Sequence, residues 1–115
     1  MEEKYVYMTA DQIQERKAKV AAIEGLTELR AAQADCRNAG PDDLGDKIQK
    51  SDELRAKYPR AAAYLEAERW IYSASPVKVR LASRALEKIL DGEDPEAVIH
   101  EMSQAHDAFY LAQEG

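Results

Sequence analysis

Helix punctuation constrains this chain more than any other feature. Ser75-Pro76 and Asp94-Pro95 each set a capping side chain directly before a proline suited to the first helical position. Gly92 stops the helix between them, and Gly40-Pro41 breaks the chain further upstream. Alanine-rich amphipathic segments run between these marks. A chain punctuated in this way folds as an all-α domain, and the spacing predicts a compact bundle of about five helices.

The 115 residues read as one domain, 1–115, large enough to bury a core without disulfide or metal staples. Phe and Trp occur once each against six Tyr. The core therefore rests on Leu, Ile, Val and Ala, with tyrosine rings at its rim.

Residues 3–8, Glu-Lys-Tyr-Val-Tyr-Met, are the one β-like run, and they make 1–8 a short extended arm docked on its own domain. Thr9 then opens a helical stretch over 9–38, with Thr9 and Gln12 forming a capping box. A straight helix over 10–38 would be about 43 Å long. A compact domain of this size is roughly 35 Å across. Either the segment bends at Gly25, or half of it projects towards another subunit and the protein is a homodimer.

Further helices are expected over 42–58, 60–73, 76–91 and 95–112. Pro59 stops the first of these and starts the second. Leu44, Ile48, Leu54 and Tyr58 are the expected inner side of 42–58, with Asp43/Lys47, Asp46/Lys50 and Glu53/Lys57 as i,i+4 ion pairs. The 60–73 helix has the widest apolar arc, with Ala61, Leu65 and Tyr72 together, which makes it central. Glu68 falls inside that arc. On 95–112, Val98, Ile99, Met102, Ala105, Phe109 and Tyr110 are the expected inner face, with His106 within it.

The chemistry-bearing residues do not assemble into a recognisable set. No nucleophile constellation, metal-ligand spacing or phosphate loop is present, so no catalytic residue, cofactor or metal is assigned. His100 and His106 lie about 120° apart around their helix, whereas zinc ligands on one helix want i,i+3 or i,i+4 spacing. Cys36 reads as a small packing residue. Glu68 and His106 would make an acid–base pair if their helices met, which is the slender basis for an enzyme. A satisfied core contact, or an arginine partner for Glu68, is the plainer reading.

Two charged faces stand out. Arg80, Arg84 and Lys88 form one stripe on helix 76–91, with Val77 and Leu81 among them. Asp42, Asp46 and Glu53 form an acidic stripe on helix 42–58. Sixteen basic against 22 acidic residues leave a net charge of −6, which disfavours non-specific nucleic-acid binding. The basic stripe also lacks the Asn, Gln or Thr that read base edges. Arginine among aliphatics fits a protein-binding face.

The expected function is thus a non-catalytic protein–protein interaction or regulatory module. One version is an acidic inhibitor that masks a nucleic-acid-binding machine, of the kind phages and mobile elements make. A helical nucleic-acid-binding regulator using the 76–91 stripe ranks second. No apolar run is long enough to span a membrane. The acidic start and single cysteine point to the cytoplasm.

Overall fold

The computed structural model describes residues 9–114, and the expected arm over 1–8 lies outside them. Every regular element among the described residues is a helix: α1 Ala10–Ala21, α2 Leu26–Asn38, α3 Leu44–Lys57, α4 Pro59–Ile71, α5 Pro76–Leu90 and α6 Pro95–Glu114. They fill a slab of 55 × 44 × 24 Å.

The all-α class stands, with six helices rather than about five. The extra helix comes from the 9–38 stretch, which is two helices broken at Gly25. Gly25 takes φ +77°, a left-handed conformation that side chains with a Cβ rarely adopt. The chain turns there, so Val20 and Ile23 pack towards the same core as Leu26 and Leu29.

The local signals act where they are written. The Thr9 hydroxyl accepts from the Gln12 amide at 3.2 Å, and the Gln12 side chain accepts from the Thr9 amide at 2.8 Å. Ser75 accepts from the Lys78 amide at 3.4 Å, and Asp94 from the Ala97 amide at 3.0 Å. Gly92, at φ +91°, closes α5. Tyr58 ends α3 and precedes Pro59, the first residue of α4.

Helix α4 is central and packs against α2, α3, α5 and α6. Small residues make this close approach workable: Ala61 and Ala67 on α4 and Ala82 and Ala85 on α5 are buried. Leu29 and Ile89 are the largest fully buried side chains. Arg60 ties α4 to the α5–α6 turn by donating to the carbonyl oxygens of Ile89 at 2.8 Å and Glu93 at 3.1 Å. Helix α1 has no buried residue of its own. It is held to α5 by ion pairs, Arg16 with Glu87 and Lys19 with Asp91.

Several expected inner faces turn outward. Leu44 and Ile48 are 39% and 45% exposed. Helix α3 packs chiefly on α2, so Ser51 is buried and Lys47, Leu54 and Tyr58 are half-buried while the rest of the helix is exposed. Tyr72 caps the end of α4 beyond the packed arc and is 84% exposed. Phe109 and Tyr110 sit where α6 outruns its neighbours and are partly exposed. None of the three ion pairs expected along α3 closes to 4 Å, which fits the small value of such pairs in water.

Candidate functional site

Helix α5 carries the basic stripe in the order the sequence implies. Positions 77, 80, 81, 84 and 88 recur at i,i+3 and i,i+4, so they share one face. Arg80 and Arg84 are exposed, and neither has a carboxylate within 4 Å among the described residues. Val77 and Leu81 are half-buried, and Leu81 leans on the core. Lys88 is engaged, with its ammonium 3.0 Å from both oxygens of Glu101 on α6. Leu81, Arg84 and Lys88 also line a narrow groove between α5 and α6, about 130 Å³ in volume, with Met102 and Ala105 on its far wall. The face is thus a ribbon of two free guanidiniums over a shallow apolar seam.

The acidic stripe lies elsewhere. Asp42, Asp46 and Glu53 are all exposed, and Glu53 accepts from the Gln49 side chain at 3.4 Å. Helix α3 packs on α2 and α4, whereas α5 packs on α4, α6 and α1. The structure does not bring the acidic and basic stripes together into one site.

Glu68 and His106 do not meet. Glu68 accepts two hydrogen bonds from Arg30 on α2, at 2.7 and 2.8 Å. That bidentate pair holds the Arg30 guanidinium above its ordinary pKa, chiefly through the hydrogen bond to Glu68. His106 lies between two aromatic rings instead, with centroids 5.2 Å from Trp70 and 4.7 Å from Tyr110. Its Nε2 is buried without a hydrogen-bond partner. Among the described residues, no group of three or more His, Cys, Asp or Glu side chains is placed to hold a metal ion. Cys36 is a half-buried free thiol.

Besides a cleft of about 500 Å³ where Ile23, Tyr58, Arg60 and Pro95 converge, two clefts were not legible in the sequence, because each needs helices distant in the chain to converge. One, about 510 Å³, has Ala62 and Ala63 of α4 as its floor, with Arg55 on one wall and Glu96, His100 and Ser103 on the other. No hydrogen bond joins His100, Ser103 and Glu96, so these three do not form a nucleophile relay. The other, about 430 Å³, opens between α1, α2 and Tyr64 of α4.

No family model, curated protein or solved structure matches this chain. None of the described helices is long and apolar enough to cross a membrane.

Proposed function

We propose that the protein is a non-catalytic interaction module that docks another protein on the outward face of α5. One observation carries this reading: Arg80 and Arg84 stand exposed with no carboxylate partner, directly beside half-buried Val77 and Leu81. Arginine next to apolar surface is what interface cores select, since its planar fork binds carboxylates and its stem covers aliphatic groups. The groove beside Leu81 offers a seat for a partner's apolar side chain. The preferred partner chemistry is an acidic segment with an apolar anchor, met in the cytoplasm.

Tagged protein captured from lysate of the source organism, with and without nuclease, tests this. The wild-type chain should retain a protein partner after nuclease treatment. The double variant Arg80→Glu with Arg84→Glu should lose it, with its helical circular dichroism unchanged because both side chains are exposed. Recovery that disappears with nuclease would assign the face to nucleic acid instead. Full retention by the double variant would remove α5 as the docking face.

A further inference from the structure

The cleft between α1, α2 and α4 brings apolar walls and positive charge to one place. Its inner wall is Val20, Ile23 and Leu26, side chains that also belong to or pack on the core. Arg16, Lys17 and Arg30 stand along its rim, and Tyr64 closes its end. Two of these cations are already held in place. Arg16 pairs with Glu87, and Arg30 is clamped by Glu68 through two hydrogen bonds.

A clamped arginine differs from a free one. The bidentate contact with Glu68 uses two of the five guanidinium N–H donors and leaves three, in fixed directions, for another acceptor. Little further side-chain entropy is then lost when an anion binds. Counting charges at the rim, Glu68 and Glu87 balance Arg30 and Arg16. Lys17 has no carboxylate within 4 Å among the described residues, so one positive charge stays unneutralised.

Tyr64 adds a neutral donor. Burial, and then the charge of Glu68, raise its phenol above the ordinary value, while Arg30 and Arg16 act in the opposite direction. The Arg30 guanidinium carbon is 6.0 Å from the centre of the Tyr64 ring.

We infer that this cleft binds a small amphipathic carboxylate: one negative head between Lys17, Arg30 and Tyr64, and an aliphatic body against Val20, Ile23 and Leu26. The volume, about 430 Å³, lies in the range of small-molecule sites. One unbalanced positive charge matches one carboxylate, and the apolar wall matches a hydrocarbon chain rather than a sugar or a nucleotide. The chain as a whole carries −6, so the rim of this cleft runs against the overall charge.

Isothermal titration of the full chain with octanoate tests the inference, with octanol and octylammonium as probes of the same body and a different head. Octanoate should bind at least about tenfold more tightly than either. Lys17→Glu should weaken octanoate by about tenfold and leave the melting temperature unchanged, because Lys17 is exposed. Tyr64→Phe keeps the ring, removes the donor and should weaken octanoate but not octanol. Equal binding of octanol and octanoate would overturn the assignment of an anion. Unaltered octanoate binding by Lys17→Glu, or no binding of octanoate at all, would overturn the site.

Discussion

The ring of Tyr58 occupies the space that a side chain on Gly25 would need. A Cβ built at Gly25 would overlap the Tyr58 ring at Cγ and Cδ2. The backbone there also sits at φ +77°. Two independent reasons therefore require glycine at the α1–α2 corner, one conformational and one steric. Gly25→Ala should cost at least about 2 kcal/mol in urea unfolding. A double variant, Gly25→Ala with Tyr58→Ala, should recover the steric part while adding the loss of the Tyr58 ring, so the two costs should not add.

Arg60 holds the same end of the core, beside the α1–α2 corner, where Ile23, Tyr58, Arg60 and Pro95 line one cleft. Its guanidinium donates to the carbonyl of Ile89 in the last turn of α5, and to that of Glu93 just beyond it. The Ile89 carbonyl also accepts from the Gly92 amide at 3.2 Å, so Arg60 adds a second, charged donor at the end of the helix. Arg60→Ala should destabilise the fold by about 1–3 kcal/mol, because a half-buried acceptor loses a charged donor. Arg60→Lys keeps the charge but loses the planar fork, and should recover only part of that. Hydrogen exchange at the α5–α6 turn should accelerate more than exchange in α2.

These two contacts mark where the sequence stops being informative. Caps and stops are local, so Thr9–Gln12, Ser75–Pro76 and Asp94–Pro95 could be placed from neighbouring residues alone. Gly25 could be marked as a bend, but the ring of Tyr58 that fills its flank is far away in the chain. Inner faces failed where a helix had too few neighbours. Leu44 and Ile48 obey helical periodicity, yet the described elements leave them 39% and 45% exposed. The basic stripe of α5 was legible as a face, whereas the engagement of Lys88 by Glu101 was not. Glu68 was legible as an ionisable residue on an apolar arc. Its arginine partner was one of the plainer alternatives, and only the fold names it as Arg30. The cleft rimmed by Arg16, Lys17 and Arg30 needs α1 and α2 to fold over α4, and no short motif encodes that.

Tyr64 makes stability depend on pH in the alkaline range. Burial, reinforced by Glu68, favours its neutral form in the folded chain and so raises its pKa above the ordinary 10.0. Below about pH 10 the phenol is protonated in both states, and this contribution to stability is fully present. As pH rises further, the unfolded chain releases the proton while the folded chain keeps it. Stability then falls until the folded phenol ionises as well. Urea titrations at about pH 9 and about pH 11 should show a smaller loss for Tyr64→Phe than for the wild-type chain. Equal losses in the two proteins would show that Tyr64 ionises alike in both states.

His106 is the one described residue with a buried side-chain polar atom that lacks a hydrogen-bond partner. Its ring meets Trp70 and Tyr110 edge-on, at interplanar angles of 64° and 61°. Nδ1 lies 3.7 Å from Asp107, beyond good hydrogen-bond reach. The imidazole therefore serves this position as an aromatic plate that carries an unsatisfied nitrogen. A phenyl ring supplies the same edge-on contacts and nothing to desolvate. His106→Phe should raise unfolding stability by about 1 kcal/mol, and His106→Ala should lower it by about 2 kcal/mol. Trp70 is the only tryptophan, so its emission reports the packing directly. It should stay at the wild-type wavelength in the Phe variant and shift to the red in the Ala variant. A destabilised Phe variant with unshifted emission would mean that the imidazole nitrogen contributes more than its ring.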